Sequence, residues 1–352
     1  MKPSRFTARQ VLLAVLSVLT GTCAAGISKP AYDTLIAHRG ESVDAPENTL
    51  PAYKTAVERG FGFECDIYLS KDGRVFTFHD RNLKRVTEGA NTNKCSDVTW
   101  AEIEKVDVGN WGKWKNSKFK GTRPALLEEV LALARDGRRI YIEVKTGPEI
   151  VPYVKKVFET QATATPGNVL FIAFNRKTCK ALKRLMPEYK VYLLTYATTR
   201  WGENEPPVTA KFLLEGLKET GADGVDCMYK PETVTSELVK AVRDAGYEFH
   251  VWTVDNLADT LEAFRRGVQT VTTNCARKQL EEYKTQTVFA YAPVPIVFDT
   301  PATDEKGVMV LGNGEVGATA WLDAAGTLHT VLQNSDSWNE GGRHVKTGAI
   351  DY

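Results

Sequence analysis

From Thr34 onward, short apolar segments alternate with longer amphipathic ones, and this alternation limits the possible folds more than any other feature of the sequence. Strand-length apolar runs separated by helical stretches are typical of a parallel sheet with helical crossovers. The strand pattern occurs in nine segments: Thr34–His38, Phe63–Leu69, Val75–His79, Arg139–Lys145, Val169–Ala173, Lys190–Thr195, Gly224–Cys227, Glu248–Val254 and Gln269–Thr273. The sequence therefore predicts an α/β protein, most simply a closed barrel of parallel strands.

The connection between the second and third segments departs from this pattern. Asp72-Gly73 joins them through a tight hairpin turn, whereas parallel neighbours need a crossover of about a dozen residues or more. The nine segments are also one more than an eight-stranded barrel uses. Either the barrel is irregular at this point, or one of the segments is not a barrel strand.

Composition places the chain among globular proteins. Its 352 residues are 43% hydrophobic and 25% charged, which supports a large core and argues against disorder. Lysine and arginine (45) nearly balance aspartate and glutamate (44), so the chain lacks an overall charge that would attract nucleic acid. An anionic ligand must therefore be held by a local site.

The first residues have the layout of a secretory signal peptide. Basic residues precede the apolar run Val11–Leu19, and small residues follow it as far as Ala25. The run is too short to span a bilayer, so we expect residues 1–25 to be removed, leaving an exported protein, periplasmic or extracellular, without a transmembrane span. Cys23 raises a second possibility, a lipoprotein anchored through this cysteine.

The rest of the chain divides into a barrel, an insertion and a tail. Residues 33–283 carry the alternating pattern of the barrel, and a polar insertion at about residues 81–125 follows the third strand segment. We expect this insertion to overhang the mouth of the barrel. Beyond about Lys284, strand pairs with turns replace helical crossovers, so residues 284–352 are predicted to form a short β-rich tail that fits a truncated second domain.

Acidic residues stand close together near strand ends. Glu64 and Asp66 are separated by one residue, and side chains alternate across a strand, so both face the same side. Glu143 and Lys145 share a face in another segment. Because barrel enzymes carry their chemistry at the carboxyl ends of strands, we expect the three carboxylates to bind one divalent cation, Ca²⁺ or Mg²⁺. The alternative is structural ion pairing with Arg39 and Lys145.

Two histidines flank this acidic cluster. His38 and His79 are expected at the same mouth, and because imidazoles titrate near neutral pH, the pair can pass protons on two sides of a phosphate ester. Arg39 and Lys145 suit the non-bridging oxygens of a phosphate, the first through its bidentate fork and the second as a point charge. Either cation could instead neutralise the acids.

Together these motifs resemble the glycerophosphodiester phosphodiesterase family. The resemblance runs from about Thr34 to Leu280 and rests on His38-Arg39-Gly40, Glu47-Asn48-Thr49, Glu64-Cys65-Asp66, His79-Asp80, Glu143-Val144-Lys145 and Val251-Trp252-Thr253-Val254. It implies a distorted TIM (β/α)₈ barrel that holds a divalent cation on Glu64, Asp66 and Glu143. It also implies cleavage of glycerophosphodiesters to glycerol 3-phosphate and an alcohol, in which His79 protonates the leaving oxygen and His38 takes the proton of an attacking glycerol hydroxyl.

The sequence departs from the family pattern at two places. Ala173-Phe174 stands where the family commonly has serine before phenylalanine, and Thr273-Asn274 stands where it often has Thr-Asp. Neither position is a motif ligand, so we expect these differences to affect substrate fit before they affect activity. Trp252 can stack on the glycerol or alcohol part of a substrate, and core packing is an equal alternative.

The tail carries a second, short resemblance. Leu311–Ala318 and Asn334–Trp338 are similar to the start of the N-terminal β-domain of certain large bacterial glycoside hydrolases. No acid pair for glycoside cleavage can be completed there, so we predict no carbohydrate chemistry. For the barrel, two other functions stay open: a phospholipase D-like phosphodiesterase that acts on intact lipids, and a catalytically silent module that binds phosphodiesters or sugars.

Overall fold

The computed structural model describes residues 30–135, 137–200, 202 and 205–290, together with the backbone of four short strands between residues 309 and 351. The export segment predicted at residues 1–25, including Cys23, lies outside the described residues. The chain divides into two compact units between Glu281 and Glu282.

The described part of the first unit contains nine strands. They are β1 (Leu35–Ala37), β2 (Gly62–Leu69), β3 (Val75–Thr77), β4 (Ile140–Val144), β5 (Val169–Ala173), β6 (Lys190–Thr195), β7 (Gly224–Met228), β8 (Glu248–Trp252) and β9 (Val271–Thr273).

Helices follow most of these strands. They are α1 (Leu50–Glu58), α2 (Trp100–Ile103), α3 (Leu127–Leu131), α4 (Val151–Phe158), α5 (Arg176–Leu185), α6 (Ala210–Thr220), α7 (Ser236–Asp244), α8 (Leu257–Arg265) and α9 (Ala276–Ala290), the last of which runs across the boundary between the two units. Single 3₁₀ turns occur at Cys95–Asp97, Gly112–Trp114 and Pro148–Ile150.

Eight of the strands close into a parallel barrel, and this confirms the predicted TIM-barrel fold. Their order around the barrel is β1, β2, β4, β5, β6, β7, β8 and β9, and pairing of β9 with β1 closes the ring. Every neighbouring pair in this ring is parallel. The carboxyl ends of all eight strands therefore meet at one mouth.

The segment that does not belong to the barrel is β3. It pairs antiparallel with the last residues of β2, from Ile67 opposite Thr77 to Leu69 opposite Val75. The sequence left open whether the barrel is irregular here or one segment is not a barrel strand, and this antiparallel pairing supports the second alternative. After β3 the chain returns toward the barrel, and the Phe78 amide donates to the Asp66 carbonyl at 3.0 Å. This contact places the next residue, His79, at the mouth although β3 lies outside the ring.

The start of α1 shows how the β1–α1 loop is fixed. The Thr49 hydroxyl accepts from the Ala52 amide at 3.4 Å, so Thr49 is the N-cap of α1. Gly40 has a φ of +80°, and a Cβ there would lie 2.6 Å from the Ala52 carbonyl carbon. Only glycine fits such a close approach in this conformation.

Three hydrophobic cores occur among the described residues, and Trp252 packs against one of them, a small group that includes Tyr141 and Tyr192. The largest core lies between the barrel and its helices and includes Cys65, which is fully buried on the face opposite the two acids, as the alternation of side chains predicted. A smaller core joins the insertion to the β2–β3 hairpin. Its buried members are Tyr68, Phe76, Phe78, Leu83, Val86, Cys95, Val98, Trp100, Ile103 and Val108.

The described residues of the second unit form four antiparallel strands in sequential order, β10 (Met309–Gly312), β11 (Val316–Leu322), β12 (Leu328–Asn334) and β13 (Gly348–Asp351). Among the residues that the structure describes, each helix is too short or too polar to cross a lipid bilayer.

Candidate active site

Three carboxylates converge at the mouth of the barrel. Glu64 and Asp66 lie on one face of β2, and Glu143 of β4 is paired in register with Asp66. One oxygen from each of the three groups lies within 4.8 Å of the others. Glu64 and Asp66 are only 2% and 1% exposed, so this negative charge is held away from water.

Two cations partly neutralise these acids. Lys145 Nζ lies 2.8 Å from Glu143 Oε1 and 3.3 Å from Asp66 Oδ1, and Arg39 Nε lies 3.4 Å from Asp66 Oδ2. Burial raises the pKa of Asp66, but the charges of Lys145 and Arg39 outweigh it, so this pKa falls below its ordinary value. Asp66 is thus the carboxylate that the two cations hold ionised.

The other two acids lack a sufficient counter-charge. Burial, followed by the charges of neighbouring carboxylates, raises the pKa of Glu64 well above its ordinary value and that of Glu143 to about 7. Glu64 Oε1 is buried and has no hydrogen-bond partner. Hard oxygen donors that converge with an excess of negative charge and an unpartnered oxygen fit a divalent cation such as Ca²⁺ or Mg²⁺.

Asn48 fixes the orientation of Asp66. Its Nδ2 donates to Asp66 Oδ2 at 2.7 Å, and its Oδ1 accepts from the Asp66 amide at 3.0 Å and from the Tyr53 hydroxyl at 2.9 Å. Asn48 has a φ of +55°, a conformation that asparagine tolerates better than most residues. The sequence alone did not predict this contact between Asn48 and Asp66. Because Thr49 caps the helix, Asn48 is available to hold Asp66.

His38 is a partly buried imidazole with one ring nitrogen occupied. Its Nδ1 lies 2.7 Å from Asn274 Oδ1, while the Asn274 amide group donates to Asp255 at 2.7 Å. Since Asn274 Oδ1 can only accept, Nδ1 carries the proton and Nε2, 3.9 Å from Glu64 Oε2, is left free to accept one. Burial and then the charge of Arg39 lower the pKa of His38 to about 4, so its neutral form prevails.

The contact between His38 and Asn274 bears on one of the two differences from the family pattern. Asn274 replaces an aspartate that is common in the family, and we expected the change to affect substrate fit first. In the structure, Asn274 touches His38 directly, so the difference concerns a histidine of the site.

His79 stands on the other side of the mouth. Its Nδ1 lies 2.8 Å from Asp80 Oδ1, and since a carboxylate accepts, Nδ1 donates and Nε2 is the remaining ring atom. The side chain of His79 is 30% exposed, compared with 17% for His38. One imidazole is therefore enclosed and the other more open to solvent.

Arg39 is held by backbone and side-chain contacts. Its φ is +56°, and its amide donates to Glu64 Oε2 at 2.9 Å, so the strained conformation turns this N–H toward the acids. Its guanidinium donates to Glu47 Oε1 at 3.0 Å. The structure thus places all of the predicted residues except Trp252 in one charged half of the mouth, formed by β1, β2, β4 and the β3 hairpin.

Trp252 lies in the other half, among aromatic residues. Its Nε1 donates to the Asp226 carbonyl at 3.0 Å, and its ring lies 5.7 Å from Phe174 and 6.3 Å from Tyr196. Phe174 and Tyr196 stack on each other at 4.6 Å. The sequence reasoning assigned no site role to Phe174 or Tyr196, although each follows directly after a barrel strand.

Comparison with known proteins agrees with this geometry. Residues 38–278 match the sequence model of the Glycerophosphoryl diester phosphodiesterase family. The chain belongs to this family. The family and the phosphoric diester hydrolase class predicted from the motifs are thereby confirmed. A glycerophosphodiester phosphodiesterase from Caldanaerobacter subterraneus subsp. tengcongensis is 31% identical over 245 residues, which cover 68% of this chain and 93% of that protein.

Two further comparisons extend this result. A glycerophosphodiester phosphodiesterase from Bacillus subtilis is 29% identical over 78% of this chain and 96% of its own length. A phosphodiesterase from Oleispira antarctica, solved in complex with the product sn-glycerol-3-phosphate, shares the fold with a TM-score of 0.60 and 23% identity, over 72% of this chain and 96% of that one. Residues 297–351 match a separate model, described as a domain of unknown function (DUF5703), so the predicted glycoside-hydrolase resemblance of the tail stays unconfirmed.

Proposed function

We propose that the protein hydrolyses glycerophosphodiesters to glycerol 3-phosphate and an alcohol, with one divalent cation and two histidines. The convergence of Glu64, Asp66 and Glu143 within 4.8 Å, with His38 and His79 on either side, carries this proposal. The names of the relatives and the glycerol 3-phosphate bound to the Oleispira antarctica phosphodiesterase support it.

The three carboxylates would hold the cation. When bound, a divalent ion polarises phosphoryl oxygens and stabilises the charge that develops on them. Glu64 offers its unpartnered Oε1. Glu143 offers Oε1, which lies 2.8 Å from Lys145 Nζ. Asp66, kept ionised by its neighbours, completes the set.

The two histidines would move the protons. In the first step, a glycerol hydroxyl oxygen attacks phosphorus and gives its proton to His38 Nε2, while His79 gives a proton to the alcohol oxygen as its bond to phosphorus breaks. The cyclic phosphate then reacts with water. His79, now neutral, takes the proton of the water, and His38 returns its proton to the glycerol oxygen, so both rings regain their starting states.

Arg39 and Lys145 would contact the non-bridging phosphate oxygens. Both already lie against Asp66, and each retains further donor hydrogens for an anionic ligand. The aromatic half of the mouth would receive the less polar part of the substrate, with the face of Trp252 against the glycerol or alcohol carbons.

Release of glycerol 3-phosphate from glycerophosphocholine tests the function. The protein without residues 1–25 should release it, lose this activity with a chelator, and regain it with Ca²⁺ or Mg²⁺, while circular dichroism shows the same fold throughout. Absence of release from this and other glycerophosphodiesters, by folded protein with either ion present, would contradict the proposal. Release from intact phospholipid under those conditions would favour the lipid-cleaving alternative.

Export is a separate part of the proposal and rests on the sequence of residues 1–25 alone. When the full chain is produced in a secreting bacterium, the mature N-terminus should begin at Gly26 in the soluble exported fraction. An acylated N-terminus at Cys23 would indicate the lipoprotein instead.

A further inference from the structure

Arg85, an insertion residue absent from the predicted site, bridges two carboxylates beside the histidine and arginine of the mouth. Its Nε donates to Asp80 Oδ2 at 2.6 Å, and one terminal nitrogen donates to Glu47 Oε1 at 2.6 Å. The other terminal nitrogen lies 3.3 Å from Glu47 Oε2. One planar guanidinium thus spends its donors on two acids, an arrangement that a lysine ammonium cannot reproduce.

Each of these acids holds a different residue of the site. Asp80 Oδ1 accepts from His79 Nδ1 at 2.8 Å, while Glu47 Oε1 accepts from Arg39 at 3.0 Å. Arg85 therefore stands at the centre of a continuous chain of contacts that begins at His79 and ends at Arg39. Burial opposes the ionised forms of Asp80 and Glu47, but the contacts with His79, Arg85 and Arg39 prevail and lower the pKa of each acid.

The position of Arg85 is itself fixed by the insertion. Its guanidinium carbon lies 4.7 Å from the ring centroid of Trp111, within the range of a cation–π contact. Trp111 in turn donates through Nε1 to the Val108 carbonyl at 2.9 Å and packs against the small core of the insertion. The guanidinium is thus held between an aromatic face and two acids.

We propose that Arg85 is a positioning residue of the reaction, which orients His79 through Asp80 and Arg39 through Glu47. Without the guanidinium, Asp80 and Glu47 would lose their common partner, and each would keep only its contact with His79 or Arg39 to offset its charge. Asp80 could then leave His79 Nδ1, and His79 Nε2 would no longer be held toward the leaving oxygen. This inference rests on the proposed function for its kinetic consequences, but not for its structural ones.

Arg123 provides a matched control. It lies in the same insertion, donates through both terminal nitrogens to Glu129 at 2.9 and 2.5 Å, and lies 5.7 Å from the ring centroid of Trp100. Its side chain is 41% exposed, close to the 37% of Arg85. Arg123→Gln therefore removes a similar arginine from a similar setting, without touching the histidines.

The kinetic test compares two leaving groups. Arg85→Gln should lower kcat for glycerophosphocholine by roughly 10- to 100-fold, the range usual for residues that orient a reactive group. The loss should shrink for a glycerophosphodiester of 4-nitrophenol, because nitrophenolate leaves without protonation by His79. Arg85→Lys should recover part of the loss, and Arg123→Gln should stay within about twofold of the wild type. In a His79→Ala background, Arg85→Gln should cost less with glycerophosphocholine than it does in the wild type, because the part of its effect that acts through His79 is already lost.

Three results would overturn the inference. They are equal activities of Arg85→Gln and Arg123→Gln, an equal loss with both leaving groups, and full additivity with His79→Ala. If Arg85→Gln does not fold, Arg85→Lys replaces it in the comparison with Arg123→Gln. The lysine keeps a positive charge near the two acids but cannot bridge them as the guanidinium does.

A structural readout separates this inference from the function itself. In ¹⁵N-histidine NMR of the resting protein, Arg85→Gln should move the Nδ1 signal of His79, and Arg123→Gln should not. If the wild type releases no glycerol 3-phosphate, the proposed function fails while the NMR comparison still decides whether Arg85 positions His79. Unchanged His79 signals in Arg85→Gln would contradict the positioning role whatever the activity.

Discussion

The barrel contains two buried polar clusters, each with a histidine and acids, and they are organised differently. The upper cluster is the group of acids at the mouth with His38. In the lower cluster, His250 is 1% exposed, its Nδ1 lies 2.7 Å from Thr270 Oγ1, and its ring stacks on Tyr192 at 4.2 Å. Glu248 contacts Lys190 and the Tyr192 hydroxyl and faces His250 Nε2 at 3.4 Å.

The difference lies in how each cluster balances charge. In the lower cluster Glu248 is surrounded by a lysine, a tyrosine and a histidine that balance its charge. Asp226 beside His250 has buried oxygens without a hydrogen-bond partner, and burial raises its pKa to about 8, so it stays largely protonated at neutral pH. In the upper cluster three acids share two cations, and Glu64 keeps an oxygen without a partner. Three converging acids that share two cations mark a place where a further cation belongs. We therefore assign the lower cluster a structural role.

The largest expected effect contrasts the histidines of the mouth and the lower cluster. His79→Ala should reduce kcat with glycerophosphocholine by roughly two to four orders of magnitude, because the general acid is lost. His250→Ala should leave the kcat of the folded fraction within a few-fold of the wild type and lower the melting temperature. Steady-state kinetics and thermal unfolding of both variants measure the contrast, and wild-type turnover in His79→Ala would remove this residue from the mechanism.

The acids should separate in the same way. Glu64→Gln should cost roughly a hundredfold or more in activity through weakened cation binding, with unchanged or higher stability, because a buried unpaired carboxylate is removed. Glu248→Gln should retain activity and lose about 1–2 kcal/mol of unfolding free energy, because its ion pair and charged hydrogen bonds weaken. Metal-binding calorimetry and chemical denaturation distinguish the two. Lower stability in Glu64→Gln than in Glu248→Gln would contradict this division.

Asp226 gives a third, pH-dependent contrast. It pairs in register with His250, and burial, followed by the charge of Glu143, raises its pKa to about 8. The native state then keeps a proton that the unfolded chain loses above about pH 4, so unfolding becomes easier as pH rises from about 4 to 8. Asp226→Asn should abolish this loss and be more stable than the wild type by about 2 kcal/mol at pH 8, less at pH 5. Parallel urea titrations with chelator present measure it, and equal pH dependence of the two proteins would place the titration elsewhere.

The smallest effect concerns the aromatic half of the mouth. Trp252→Ala should lower kcat/KM roughly tenfold, equivalent to about 1.4 kcal/mol, mainly through KM, because a stacking face for the substrate is lost. Trp252→Phe keeps a face, loses the hydrogen bond to the Asp226 carbonyl, and should recover most of the difference. If both variants bind substrate like the wild type while stability falls, Trp252 belongs to the core alone.

The sequence predicted those features that depend on local periodicity. Alternation along β2 placed Glu64 and Asp66 together, and Asp72-Gly73 indicated the hairpin without deciding whether β3 belonged to the ring. Two contacts across long sequence separations escaped prediction, those of Asn274 and of Arg85, because neither follows from local spacing or from the order of the strands. Asn274 lies 236 residues from His38, and Arg85 lies 38 residues from Glu47.

The hairpin of β2 and β3 has a consequence for how the enzyme can vary. The ring closes through direct pairing of β2 with β4, so the arm that carries His79 and residues 81–125 takes no part in closure. We therefore expect the barrel to tolerate changes of length and sequence in this arm, provided that the contacts at its base are kept. The position and surroundings of the proton donor His79 can then change while the cation ligands on β2 and β4 keep their places in the barrel.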